Sequence, residues 1–174
     1  RGVLFLCVAN SARSQMAEGI TRQLAGDRLR VQSAGSAPSK VNPLAVRVLA
    51  EIGVDTSGQR SKSVAEIDRT TVDAVITLCA EEVCPVYLGT ARRLHWPLPD
   101  PAGHDEDEEA SLERLRAVRE ALRCRIAAWH ASSDRRSHAD DCEAIASNSE
   151  RSRAATRVSK VSGIAQVAYQ RLGR

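Results

Sequence analysis

The chain has 174 residues, 43% of them hydrophobic, with 25 Lys and Arg against 22 Asp and Glu for a formal charge of +3. That suits one domain with a sizeable core and a weak attraction for anions rather than a DNA-binding footprint. Five aromatic side chains, Phe5, Tyr87, Trp96, Trp129 and Tyr169, leave the core to aliphatic residues and argue against base stacking on nucleic acid, and no apolar run reaches transmembrane length.

The first element is Gly2-Val3-Leu4-Phe5-Leu6, an unbroken apolar run of strand length. With Arg1 before it and small residues after it, the run has the outline of a signal peptide, but it is too short for one and reads as a buried strand. It ends in Cys7-Val8-Ala9-Asn10-Ser11-Ala12-Arg13-Ser14, and Gln15 to Leu24 then reads as a helix. At such a junction the first helical N–H groups have no backbone partners and the helix dipole is positive. The loop Val8, Ala9, Asn10, Ser11, Ala12, Arg13 and Ser14 can therefore wrap an oxyanion of phosphate shape. The same field favours thiolate, Arg13 offers a two-pronged donor, and Ser14 can donate to the sulfur. Cys7 is thus a candidate nucleophile toward a bound tetrahedral oxyanion; the plainer reading is a packing cysteine at the end of a core strand. The loop lacks the glycines and lysine of a nucleotide P-loop, so ATP and GTP are not its natural ligands.

Downstream, Leu29 to Gly35 reads as a short strand, and Asn42-Pro43 opens a helix that Gly53 stops. Val64 to Thr70 is a turn or short helix, Val72 to Leu78 a third buried strand and Arg92 to Trp96 a fourth. Asp107 to Ala131 is the longest helix, with an acidic first turn and an apolar stripe. Four strands with intervening helices predict an α/β domain, a four-stranded parallel sheet covered on both faces in three α/β/α layers. The composition shifts at Ser132, which places a domain over residues 1–131 and a polar tail, partly disordered or helical, over 132–174. Five cysteines, an odd number, fit a reducing cytosol better than a disulfide framework. Cys124 is expected in the core and Cys142 as an incidental thiol of the tail.

Two further constellations fall at the strand ends where open α/β sheets bind ligands. Cys79 and Cys84 stand five positions apart and can reach disulfide distance if the segment rearranges; zinc with His95 and inert packing are the competing readings. Asp100, between Pro99 and Pro101, is either a turn residue or a proton donor to an anion held over Cys7.

Cys7-x5-Arg13-Ser14, the Leu-Cys…Cys-Pro segment and His95-Trp96…Asp100-Pro101-Ala102 together resemble the thioredoxin-coupled arsenate reductases, which share their fold with low-molecular-weight protein tyrosine phosphatases. The resemblance spans about residues 2 to 130. It implies that Cys7 attacks arsenate, that Cys79 attacks the adduct and releases arsenite, and that Cys84 takes over the disulfide for thioredoxin. It further implies that Arg13 binds the oxyanion, that Asn10 and Ser14 order the loop, and that Asp100 transfers the proton. Phosphate and sulfate are the expected analogues, with no tightly bound cofactor or metal and no nucleic-acid or membrane partner. The Cys79 to Cys84 spacing is shorter than in some members. Some members also hold a potassium ion through residues corresponding to Asn10, Glu18, Ser33 and an Asp; Lys62 falls at that last position, which implies activity without potassium. The alternatives are a low-molecular-weight phosphatase, against which stands Ala102 where phosphotyrosine-specific members carry an aromatic residue, and a non-catalytic oxyanion-binding or redox-sensing module.

Overall fold

A computed structural model describes residues 2–80, 89–101 and 107–132. The chain divides into two units, Arg1–His130 and Ala131–Arg174. The first unit contains strands β1 (Gly2–Cys7), β2 (Arg30–Gly35), β3 (Ala74–Cys79) and β4 (Arg92–Leu98), with helices α1 (Arg13–Ala25), α2 (Pro43–Ala50) and α3 (Glu108–Ser132), the last running just past its end. The strands form one sheet in the order β2-β1-β3-β4, and every pairing is parallel.

Every residue of β1 is buried, as a central strand covered on both faces must be. Val3 and Phe5 face a core shared with Met16, Ala17 and Ile20 of α1, Val48 and Leu49 of α2, and Leu112, Leu115, Leu122 and Ile126 of α3. Leu4 and Leu6 face the other way, toward Ala34, Ile67, Val72 and Val75. Two 3-10 turns, Val64–Glu66 and Arg69–Thr71, lie on the segment that supplies this second layer. The first carries a capping box in which Ser63 and Glu66 satisfy each other's backbone.

Helix α2 begins where the sequence marks it, while α1 starts at Arg13, two residues before Gln15. Asn42 caps α2, its side chain accepting from the Leu44 and Ala45 amides, and Pro43 takes the first helical position. Gly53 sits at φ 71°, the left-handed conformation that ends the segment. Cys124 differs from its expectation. The buried residues of α3 are Ser111, Leu112, Leu115, Val118, Arg119, Leu122 and Ile126, and at 100° per residue position 124 falls on the opposite flank. Cys124 is half-buried and disulfide-bonded rather than core filling.

An ion-pair bracket joins α2 to α3. Arg116 makes bidentate contact with Glu51 just after α2, with approaches of 2.7 and 3.1 Å. Arg119 reaches the same carboxylate at 2.8 Å while donating to the Val48 carbonyl at 2.7 Å. The hydrogen bonds from Arg116 and Arg119 hold the Glu51 carboxyl down at about 2, below its ordinary 4.5. A carboxyl depressed on folding stabilises the native state above its unfolded value, and that contribution is lost as pH falls from about 4.5 toward about 2. Thermal melts of Glu51→Gln should therefore run a few degrees below wild type at pH 7, and the gap should close across that acid range. A gap that persists undiminished at pH 2 would place the effect in packing rather than charge.

Candidate active site

The site is built where β1 stops and α1 starts. Cys7 is the last residue of β1 and is 3% exposed; its Sγ lies 2.9 Å from the Ser14 hydroxyl in the first turn of α1. Asn10 sits between them at φ 46°, a conformation Asn tolerates better than most residues. Its amide group donates to both Ser14 Oγ and Ser33 Oγ at 2.8 Å.

The loop carbonyls show which way the peptides face. Val8 O accepts from the Ala37 amide and Ala9 O from the Ser39 amide and the Ser61 hydroxyl. Asn10 O accepts from Gln15 Nε2, and Ser11 O from the Asn42 amide. Four successive carbonyls are thus committed to partners outside the loop, which leaves the amides to the concave side. Ala12, at the N-cap of α1, has no side chain to cap the helix, so the positive end of the dipole stays open to an anion. The cavity holds about 170 Å³ and is lined by Cys7, Val8, Ala9, Ser11, Ala12, Arg13 and Asp100. Apart from Arg13 and Asp100 its walls are small side chains, which suits a bare tetrahedral anion.

Arg13 is 4% exposed. Its Nη1 donates to the Leu98 carbonyl at 3.1 Å and its Nη2 stands 3.6 Å from Asp100 Oδ2. Asp100 follows β4 and its carboxyl is half-exposed, placed to exchange a proton with solvent and with a group in the cavity. Leu98 belongs to the core, and Trp96, flanked by Phe5 and Trp129, anchors the strand.

Behind the loop runs a buried polar chain. Ser33 donates to Glu18 Oε2; Lys62 Nζ lies 3.5 Å from the same oxygen, and Arg22 Nη2 is 2.6 Å from Glu18 Oε1. A carboxylate buried this deeply needs a compensating charge, and here two cations supply it. The Lys62 amide also donates to Asn10 Oδ1 at 2.8 Å. From Lys62 the chain runs through Glu18, Ser33, Asn10 and Ser14 to the sulfur of Cys7. The sequence pattern pointed to Asn10, Glu18, Ser33 and Lys62 only through the family resemblance, and it missed Gln15 and Gln59. Gln15, 1% exposed, donates to Asn10 and to the Arg60 carbonyl and accepts from Gln59 Nε2, so it ties the loop to residues 59–62. A Gln just behind the motif carries no signal of that role by itself.

Cys79 ends β3 at the same edge of the sheet, is 1% exposed and, like Cys7, is reduced. Leu6 and Thr77 are the last pair of the ladder between β1 and β3, and Cys7 follows that pair by one residue and Cys79 by two. The structure therefore brings Cys7, Arg13, Ser14, Asp100 and Cys79 to one rim. Cys84 and Ala102 lie outside the described residues. His95, the third member of the zinc reading, has Nδ1 2.8 Å from Thr77 Oγ1, and among the described residues no three His, Cys, Asp or Glu side chains gather as metal ligands. Among those residues no helix is long and apolar enough to cross a membrane.

Residues 2–139 match the low molecular weight phosphotyrosine protein phosphatase family. The chain is 43% identical over 119 residues to an arsenate reductase of Halalkalibacterium halodurans, covering 66% of this chain and 86% of that one. Its structure is similar to that of an arsenate reductase in the phosphate binding state, at 34% identity and a TM-score of 0.61 over 73% of this chain and 94% of the other. A low molecular weight protein tyrosine phosphatase from T. tengcongensis aligns with a TM-score of 0.58 at 28% identity, covering 72% of this chain and 95% of its own.

Proposed function

The chain belongs to the low molecular weight phosphotyrosine protein phosphatase family, and from that premise we propose that it is an arsenate reductase working through a relay of Cys7, Cys79 and Cys84. The observation that carries this reading is the placement of a second reduced cysteine, Cys79, at the end of the strand beside the one that carries Cys7 and its oxyanion cradle. A phosphatase has no use for that second thiol.

Arsenate enters with its oxygens on the loop amides and the Arg13 guanidinium. The Cys7 thiolate attacks arsenic, and an oxygen leaves as water after taking a proton, which Asp100 is placed to deliver. The Cys79 thiolate then attacks the Cys7 sulfur. The sulfur–arsenic bond breaks with its electron pair going to arsenic, which becomes arsenite as the Cys7–Cys79 disulfide forms. Cys84 attacks Cys79 in turn and releases the Cys7 thiolate, and a dithiol reductant of the thioredoxin class reduces the resulting Cys79–Cys84 disulfide. Two electrons enter as two thiols and leave on arsenic, so no tightly bound cofactor is required. The setting is a thiol-reducing cytoplasm, and the role is arsenic detoxification.

The test is NADPH consumption with arsenate, thioredoxin and thioredoxin reductase. Arsenate-dependent turnover in wild type, lost in Cys7→Ser and in Cys84→Ser, supports the relay. Hydrolysis of an aryl phosphate with no arsenate turnover in wild type supports a phosphatase, and silence in both assays leaves an oxyanion-binding module.

A potassium ion does not suit this site. Lys62 places its ammonium 3.5 Å from Glu18 and is largely buried, so a tethered cation stands beside the carboxylate that would ligate the metal. Arsenate turnover should accordingly change by less than about twofold when potassium replaces sodium at constant ionic strength, because the resident charge is already in place. Strong stimulation by potassium would count against Lys62 in that role.

A further inference from the structure

Arsenate reduction by the proposed relay requires the Cys79 sulfur to reach that of Cys7, and the inference drawn from this rests on that proposal. As folded, Cys79 is poorly placed for the attack. It does not line the cavity that Cys7 and Arg13 line. At 1% exposure it is also sealed from solvent. Its cross-strand partner is Leu98, met only after a register shift between Thr77 and Cys79. A ladder that slips at its last pair is locally disrupted and bends there.

Arg13 acts at that weak end. Its Nη1 holds the carbonyl of the same Leu98 at 3.1 Å, and its Nη2 faces Asp100, two residues further on, at 3.6 Å. The guanidinium that lines the oxyanion cavity therefore also clamps the strand end against which the second thiol is paired. An anion arriving in the cavity competes for these donors and repels the Asp100 carboxylate.

We infer that Arg13 is the positioning residue for Cys79 as well as the anion's ligand. With the cradle empty it pins Leu98 and keeps Cys79 parked. With an oxyanion bound, the guanidinium turns toward the cavity, the Leu98–Cys79 pair loosens and the thiol is released toward Cys7. The second thiol becomes mobile only when there is an anion for the first to attack.

The probe is inorganic phosphate on the reduced, full-length wild-type chain. Alkylation of Cys79 by N-ethylmaleimide is followed by peptide mass spectrometry with fragmentation that separates it from Cys84, while calorimetry reports phosphate occupancy. Saturating phosphate should speed labelling of Cys79 at least about fivefold, and chloride at equal ionic strength should not. Arg13→Lys, which keeps the charge and loses the fork, should label fast without phosphate and respond little to it. Bound phosphate with unchanged or slower labelling of wild-type Cys79 overturns the inference, as does slow labelling in a folded Arg13→Lys. If that variant does not fold, the wild-type comparison decides alone. Absence of phosphate binding removes the oxyanion reading itself, and calorimetry shows that separately.

Discussion

Cys79→Ser should lose arsenate turnover by at least about 10³-fold in the thioredoxin-coupled assay while hydrolysing a small aryl phosphate within about threefold of wild type. The split follows from electron counting. Phosphoester hydrolysis needs one nucleophile, one anion ligand and one proton donor, and Cys7, Arg13 and Asp100 line a single cavity that supplies all three. Reduction needs a second sulfur to take the electron pair's place, and serine cannot form that bond. Cys79 does not line the cavity, so its loss leaves the cradle's own chemistry in place. A single round of mixing with arsenate should leave the variant with arsenic still on Cys7, visible as a mass adduct. Equal loss of both activities would show that Cys79 holds the cradle together instead of reducing its contents.

Gly35→Ala should damage the site from a position away from the reacting groups. A Cβ at this position would stand 2.3 Å from the Val8 carbonyl, 2.9 Å from the Asn10 amide nitrogen and 3.1 Å from Asn10 Cβ. Two of these three contacts are backbone of the cradle, which cannot rotate aside as a side-chain tip can. The requirement is close approach rather than a special dihedral, since the φ of Gly35 is not positive. Its amide donates to the Lys62 carbonyl at 3.0 Å, so a shift would also disturb the segment that carries the internal cation. Overpacking of this kind costs about 1–3 kcal/mol. A displacement of even about 1 Å in the loop should lower turnover about 10²-fold. Thermal melts and kcat/KM measured together test it: a variant with wild-type values for both would mean that the loop relaxes without effect.

Much of the site was legible because it is local. Strand, cysteine, arginine and helix occupy one run of residues, and the physics that makes the junction an anion site depends only on their order. The four parallel strands were equally readable, β1 and β3 from their apolar runs, with ends displaced by a residue or two: β3 begins at Ala74 rather than Val72, and β4 continues to Leu98 past Trp96. What the sequence did not display is whatever depends on distant pairing. Gln59 and Ser61 brace the loop across more than 40 residues of separation, and nothing in their local pattern distinguishes them from other polar loop residues. Arg119 reads as one more charge on a charged helix, yet it is 9% exposed because it bridges α3 to α2. Cys124 went the other way: its apolar character suggested the core, but its helical angle sets it opposite the buried stripe of α3.

The two tryptophans, Trp96 and Trp129, stand edge to face with ring centroids 6.5 Å apart, and Phe5 lies 6.3 Å from the first. Neither borders the cavity. Intrinsic emission from this chain is therefore a gauge of whether the long helix α3 is seated on the sheet. Denaturant, which unseats α3, should move the signal in full, while an oxyanion, which acts only at the Leu98 end of β4, should move it far less.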